Sequence, residues 1–235
     1  MEESDSIRIN KYISSSGICS RRQADEYIAN GRVTIDGVIA QAGSQVKPGQ
    51  TVLVDGKPVL PSEDHVYIAF NKPLGITCTT DKRDPDNIID YINYPSRIFP
   101  IGRLDKNSSG LILLTDNGDI VNRLLRAEGR HDKEYVVQVN KPLTSDFQEK
   151  MENGVPILDT VTLPCKVKIT GKSSFHIVLN QGLNRQIRRM CEYFGYRVIR
   201  LKRIRILNIQ LGSLPVGQYR KLNNKELSDL MKLNK

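Results

Sequence analysis

No apolar run in this 235-residue chain approaches the ~18 residues that a membrane helix needs. The four cysteines, Cys19, Cys78, Cys165 and Cys191, lie far apart with no C-x-x-C pair, and His65, His131 and His176 are equally scattered. That spacing argues against a zinc site and against a disulfide framework, and leaves reduced, mostly buried thiols. Glycine-rich phosphate loops of the G-x-x-x-x-G-K-S/T or G-x-G-x-x-G kind are also missing. The expectation is therefore no metal and no cofactor, with any chemistry carried by ordinary side chains. The acidic opening Met1-Glu-Glu-Ser-Asp-Ser6 is unlike a signal peptide, so the expected compartment is the cytoplasm, with no membrane partner.

Acidic residues are in deficit: 26 Asp and Glu stand against 35 Lys and Arg, a formal net charge of +9. Such a surplus favours a polyanionic partner, with nucleic acid foremost, over a merely solvated basic surface when the cations cluster. They do cluster: Gly182 to Arg205 holds eight Arg or Lys and one acid, Glu192.

The stretch Phe99-Pro-Ile-Gly-Arg-Leu-Asp-Lys-Asn-Ser-Ser-Gly-Leu111 places Asp105 between Arg103 and Lys106, among turn formers and between two apolar runs. Nearby opposite charge favours the ionised form of a carboxylate, which suits a nucleophile or general base. The same context suits an Asp that merely caps a turn.

The N-terminal region reads as a small module. Ile9, Tyr12 and Ile13 have helical spacing up to Gly17. Ser20-Arg-Arg-Gln23 matches a capping box for a second helix, continued by Ala24, Tyr27 and Ile28 and ended at Gly31. Arg21 and Arg22 fall in that helix's first turn, where the macrodipole disfavours cations unless an anion such as phosphate binds there; plain solvation is the other reading. Val33 to Ala40 alternates around an Asp36-Gly37 hairpin turn, and Val52 to Lys57 repeats the device. Ile9-Asn-Lys-Tyr-Ile13, Ser20-Arg-Arg-Gln-Ala24 and Gly31-Arg-Val-Thr-Ile-Asp-Gly37 resemble the S4 RNA-binding domain, which implies binding of structured RNA through Arg21, Arg22 and Lys11. Leu60-Pro-Ser-Glu-Asp64 reads as a linker, giving an S4 module over 6–60, a linker at 61–64 and a larger domain over 65–235.

In the larger domain, Val66–Phe70, Leu111–Thr115, Lys133–Val139, Cys165–Ile169, Phe175–Leu179 and Arg197–Ile209 read as strands. Asp119–Arg126, with Leu125 inward, Ser145–Asn153, Arg185–Phe194 and Lys225–Leu233 read as helices. Regular βαβ alternation is absent, so the expected class is α+β with a mostly antiparallel mixed sheet. On a helix, Arg185, Arg188 and Arg189 share one face.

Four stretches, Phe70-Asn-Lys-Pro-Leu-Gly-Ile76, Gly102-Arg-Leu-Asp-Lys-Asn-Ser-Ser-Gly-Leu111, Lys133-Glu-Tyr135 and Gly182-Leu-Asn-Arg-Gln-Ile-Arg-Arg-Met190, together with the S4-like module, resemble an RsuA-type pseudouridine synthase, the branch that modifies ribosomal RNA. The resemblance implies an isomerisation in which uridine is detached at N1, the uracil turns over and C5 is rejoined to the ribose, without metal or cofactor. It implies that Asp105 is the essential carboxylate, whether it attacks base or sugar or assists a route through a glycal. Arg188 aligns with the arginine that pairs with that carboxylate, phosphate contact being its other reading, and Tyr135 with the tyrosine that stacks on the target base. Arg103 aligns with a residue that fills the space left by a flipped base. Asn71 and Lys72 shape the pocket, touch RNA or form a turn; Leu201 packs on the flipped uracil or sits in the core; Arg185 and Arg189 hold RNA.

Val155-Pro-Ile-Leu-Asp-Thr-Val161, Cys165-Lys-Val167 and Arg189-Met-Cys-Glu-Tyr-Phe-Gly-Tyr196 look most like the RluF group. That implies a uridine of 23S rRNA near the peptidyl transferase centre, with a tRNA anticodon uridine as a further substrate of some members. Nothing in the sequence specifies an oligomeric state, and a monomer is the default expectation. The alternatives are a 16S rRNA synthase and a non-catalytic S4-type ribosome factor. A small-molecule hydrolase built on Asp105 would leave the basic patch idle.

Overall fold

The computed structural model describes residues 6–125 and 131–232, which form two compact units. One takes the chain up to Val66 with Tyr94–Ile98 and Asp116–Gly118; the other holds Tyr67–Asn93, Phe99–Thr115 and the chain from Asp119 onward.

The first unit contains β1 (Ile7–Arg8), α1 (Ile9–Ser15), α2 (Arg21–Ala29), β2 (Val33–Ile35), β3 (Val38–Ile39), β4 (Gln45–Val46), β5 (Val52–Val54) and β6 (Lys57–Pro58). β4 pairs with β1, and β3–β2–β5–β6 make an antiparallel sheet. The capping box forms in both directions: the Gln23 N–H donates to Ser20 Oγ at 3.2 Å, and the Ser20 N–H donates to Gln23 Oε1 at 2.9 Å. Asp36 and Gly37 both take positive φ, 50° and 83°, the left-handed pair that a type I′ hairpin turn requires. Ile9, Ile13, Ala24, Ile28, Val33 and Val52 close the core between helices and sheet.

The rest of the described chain supplies β7 (Tyr67–Lys72), α3 (Ile88–Ile92), β8 (Phe99–Ile101), β9 (Ser109–Thr115), α4 (Gly118–Leu125), β10 (Lys133–Val139), α5 (Phe147–Glu152), β11 (Pro156–Ile157), β12 (Thr160–Val161), β13 (Lys166–Gly171), β14 (Ser174–Leu179), α6 (Gln186–Tyr193), β15 (Val198–Ile206), β16 (Ile209–Gln210), β17 (Tyr219–Lys221) and α7 (Asn224–Lys232). Among the described residues nine of these strands make one sheet in the order β13–β14–β10–β15–β9–β7–β17, with β8 beside β9 and β16 beside β15. Only β9 and β15 run parallel, through Lys202 opposite Ser109 and Arg203 opposite Gly110; the fold is α+β with a mostly antiparallel sheet, as the strand pattern implied. The short elements α3, β8, β11, β12 and β17 carry too few periodic residues to announce themselves. The Leu125 side chain, Arg126 and Leu233 lie outside the described residues.

Two apolar clusters build the larger unit. α5 and α6 pack Phe147, Met151, Ile187 and Met190 against Val137, Phe175, Ile177 and Leu201, with the Phe147 ring edge-on to Phe175 and Tyr196 at 5.0 Å each. α4 and α7 pack Ile120, Leu124 and Leu230 against Tyr67, Ala69, Leu111 and Leu113. Burying each such side chain contributes roughly 1.5–3 kcal/mol before entropy is counted.

α7 is fastened by Glu226, whose carboxylate accepts from both terminal nitrogens of Arg220 at 2.7 Å each and from the Asn223 N–H at 3.0 Å. The hydrogen bonds from Arg220 hold the Glu226 carboxyl below its ordinary range. A carboxylate whose folded-state pKa is depressed stabilises above its unfolded value, and that contribution disappears as pH falls through the folded value. Glu226→Gln should therefore lower stability by about 1 kcal/mol at neutral pH, with the gap closing below pH ~4. Thermal melting of both proteins across that range checks it.

Candidate active site

Asp105 lies in the loop between β8 and β9, and that loop is held from three sides. The Ser108 N–H donates to the Asp105 carbonyl at 2.9 Å, closing the Lys106-Asn107 turn. From the segment after β7, the Gly75 N–H donates to the Lys106 carbonyl at 2.9 Å, and the Leu104 N–H donates to Cys78 Sγ at 3.4 Å. From α6, Arg188 Nη2 donates to the Asn107 carbonyl at 2.7 Å and to Ser108 Oγ at 3.4 Å. All these bonds use backbone or neighbouring groups. Among the described residues the half-buried Asp105 carboxylate itself takes part in no hydrogen bond and no ion pair.

This overturns two expectations about Asp105. Its sequence neighbours do not flank it: Lys106 Nζ is 2.7 Å from Asp86, and Arg103 is exposed. Arg188 does not bond it directly either: Nη2 serves the Asn107 carbonyl and Ser108 Oγ, Nη1 reaches the Val198 carbonyl at 3.4 Å, and Nε is buried without a partner among the described residues. Its influence on Asp105 is electrostatic, through space, as is that of Lys72: each cation's titration is affected by the Asp105 charge. Burial is the largest effect on both and pushes both pKa values down.

Asn71 and Lys72 are not a turn. They complete the fully buried strand β7, Asn71 with 1% and Lys72 with 0% of its surface exposed. Lys72 Nζ donates to the carbonyls of Pro73 at 2.9 Å and Ile76 at 2.7 Å, while Asn71 Nδ2 donates to Leu214 at 2.7 Å. An amine so enclosed makes no RNA contact; it shapes the 73–78 segment on which the Asp105 loop rests.

The three clustered arginines part company. Arg185 precedes α6 in a left-handed conformation, φ 50°, so it does not share the helix face; it is exposed. Arg188 is buried. Arg189 folds back to the Asn184 carbonyl at 3.1 Å and its side-chain oxygen at 3.2 Å. Leu201 is 7% exposed and belongs to the core beside α6, so it offers no face to a uracil here.

Tyr135 is half-buried on β10. Its register partner on β15 is Arg203, and Arg203 in turn is the partner of Gly110 on β9. Arg203 is the residue that the sequence did not single out. It is 4% exposed, its guanidinium carbon lies 5.9 Å from the Tyr135 ring centroid, and its Nε donates to the Leu111 carbonyl at 2.7 Å. Its Nη2 is buried without a partner. Its signal was present in the alternation Leu201-x-Arg203, two positions on the face of the strand that Leu201 turns to the core. Lys133, also on β10, has its amine pushed down, first by burial and then by Arg203. The site thus sets one uncommitted carboxylate among buried cations. Among the described residues no group of three or more His, Cys, Asp or Glu could hold a metal, and no helix is long and apolar enough to cross a membrane.

In the first unit, Arg21 and Arg22 are exposed on the first turn of α2, which carries no acidic residue, and Lys11 is half-buried on α1. Arg21 Nη2 reaches Asn10 Oδ1 at 3.4 Å, and Asn10 Nδ2 donates to Asp25 at 2.8 Å.

The chain belongs to the RNA pseudouridine synthase family: the family model for RNA pseudouridylate synthase matches residues 66–193, preceded by a match to the S4 domain over residues 7–52. It is 56% identical over 230 residues to the dual-specificity RNA pseudouridine synthase RluF of Escherichia coli strain K12, covering 97% of this chain and 79% of that protein. It is 35% identical over 235 residues to the ribosomal large subunit pseudouridine synthase B of Bacillus subtilis strain 168, covering 96% of each. A crystal structure of a pseudouridylate synthase superimposes with a TM-score of 0.69 at 27% identity, over 97% of this chain and 99% of that one. The protein is thus a pseudouridine synthase with an S4 domain, and it acts on RNA.

Proposed function

We propose that this enzyme isomerises a uridine of 23S rRNA near the peptidyl transferase centre, and a tRNA anticodon uridine as second substrate, with Asp105 as its essential group. The uncommitted Asp105 carboxylate, on a loop clamped by Arg188 and the Lys72-supported segment, carries this reading. In the reaction the C1′–N1 bond breaks, a C1′–C5 bond forms, the C5 hydrogen leaves as a proton and N1 gains one. The carboxylate serves as nucleophile or base, a task for an ionised group with free lone pairs. Tyr135 supplies an aromatic face for the base once it leaves the stack, which costs a few kcal/mol, and the unpaired Nη2 of Arg203 supplies a donor beside that ring. Arg103 and Arg185, both exposed, contact the RNA around the extruded uridine.

We read residues 6–60 as the S4 domain, 61–64 as linker and 65–235 as the catalytic domain, in a cytoplasmic monomer. Arg21, Arg22 and Lys11 hold phosphates of the folded RNA, whose shape rather than sequence guides recognition. The similarity to both RluF and a large-subunit synthase supports the large-subunit choice over 16S rRNA.

The test is hydrogen release from C5 of tritiated uridine in transcripts of 23S rRNA, 16S rRNA and tRNA. Release approaching one equivalent from 23S rRNA, with a second site in tRNA, is the expected result. Release from 16S rRNA alone would overturn the substrate assignment while keeping the enzyme.

A further inference from the structure

β10, β13, β14 and β15 turn one face to the core, and among the described residues the other face is half-buried to exposed. On β14, Phe175, Ile177 and Leu179 are buried while Ser174, His176 and Val178 are not, and α5 and α6 pack only against the first set. An antiparallel sheet can keep such a face in water, but this one is strongly one-signed. Register places Lys168 beside His176, His176 beside Val136 and Val136 beside Lys202, in one row across four strands. The adjacent rows run Lys166, Val178, Glu134, Arg205 and Ser174, Gln138, Arg200.

Five lysines and arginines thus lie in these rows with one carboxylate, Glu134, which is occupied; a second, Asp132, stands at the end of the face in a pocket with Lys166 and Val178. Glu134 accepts from Arg205 at 2.9 Å and lies 3.2 Å from His176 Nδ1. Lys166, Lys168 and Arg200 are exposed and Lys202 half-buried, and among the described residues none of the four has an acidic partner. Some exposed cations elsewhere do find one, Arg32 with Asp55, Arg83 with Asp81, Lys106 with Asp86 and Lys150 with Asp146, while among the described residues Arg103 and Arg185 beside the active site do not. The basic run Gly182–Arg205 is therefore two features. Arg188 and Arg203 point into the active-site side, and Arg200, Lys202 and Arg205 point out of the opposite face. Along β15 these cations recur at roughly 7 Å, and β13 stands about 14 Å across the sheet from β15.

We propose that this face is a second RNA-backbone contact surface, which holds a segment of a large RNA substrate other than the one entering the active site. The proposal rests on the chain's being an RNA pseudouridine synthase, and it concerns residues outside the site that performs the reaction. Flat, unpaired positive charge on a rigid sheet suits phosphates of a folded RNA, which bind by charge and shape without base reading.

The variant Lys168→Ala with Arg200→Ala and Lys202→Ala tests it, since all three side chains leave the core untouched. Affinity for full-length 23S rRNA transcript and for a short uridine-bearing hairpin is measured as a function of salt. For the long transcript the slope of log affinity on log salt should shrink by about 2 to 3, with affinity down about 10- to 100-fold. For the hairpin both should match the unsubstituted protein. Unchanged slopes on both RNAs overturn the proposal, and so does an equal loss on both, which would assign these residues to the active-site path. An unsubstituted protein that binds neither RNA would remove the proposal and the RNA-substrate reading together, a result distinct from the other two.

Discussion

Asp105→Asn should leave RNA binding intact or slightly tighter and reduce isomerisation by at least about 10³-fold. The substitution is close to isosteric, and its local effect is small for a visible reason. The loop is held by the Ser108, Gly75 and Leu104 amides and by Arg188 on the Asn107 carbonyl; none of these bonds uses the Asp105 side chain. An amide at the same place retains the shape but lacks the negative charge, and puts an NH2 donor where the carboxylate has a second acceptor oxygen. Binding should not suffer, because a carboxylate beside RNA is repelled by phosphate. Tritium release from C5, run beside a binding titration on the same transcript, separates the two effects. Turnover within tenfold of the unsubstituted enzyme would sink the role given to Asp105. Loss of binding in step with turnover would turn it into a structural residue.

How much of this site could be read from the sequence depended on whether its cause was local. The Ser20–Gln23 capping box and the Asp36-Gly37 turn are complete within a few residues, and both form as their chemistry dictates. The alternation of β14 likewise separates core from solvent without outside help. Asp105 failed this test in an instructive way. Its cations looked local, Arg103 and Lys106, but Lys106 finds a nearer carboxylate in Asp86. The charges that act on Asp105 come from β7 and α6, brought there by strand order. Lys72 was hidden because Lys-Pro reads as a turn; its burial becomes tolerable only once the chain bends so that the Pro73 and Ile76 carbonyls receive its protons. Arg203 was hidden inside a basic run. Which members of that run face inward is fixed by pairing with β10, including an irregularity between Glu134 and Tyr135 that shifts the register. No period in the β15 sequence marks that shift.

Gly110→Ala is the substitution expected to cost most stability. Gly110 has φ 101°, and a Cβ there would stand 2.2 Å from the Arg203 carbonyl oxygen and 2.8 Å from its nitrogen. Both obstacles are backbone, in the strand that carries β9's parallel pairing and the partner of Tyr135, so neither can swing aside as a side chain would. A positive φ costs an L-residue about 1–2 kcal/mol, and forced overpacking adds about 1–3 kcal/mol. The sum, about 2–5 kcal/mol, corresponds to a fall of roughly 5–15 °C in the melting of the larger unit. Gly118→Ala, with nothing within 4 Å of the added carbon and no positive φ, should change it by no more than about 0.5 kcal/mol. Activity adds a second axis. Gly110 follows the Asp105 loop by two residues and fixes β9 against Arg203, so separating these strands moves the carboxylate relative to Tyr135 as well as loosening the sheet. A Gly110→Ala protein assayed well below its melting point should therefore still turn over more slowly, while Gly118→Ala keeps full rate. Melting temperatures that coincide for the two variants would mean that β9 and β15 can part at little cost, and the close approach would lose its place in the design of the site.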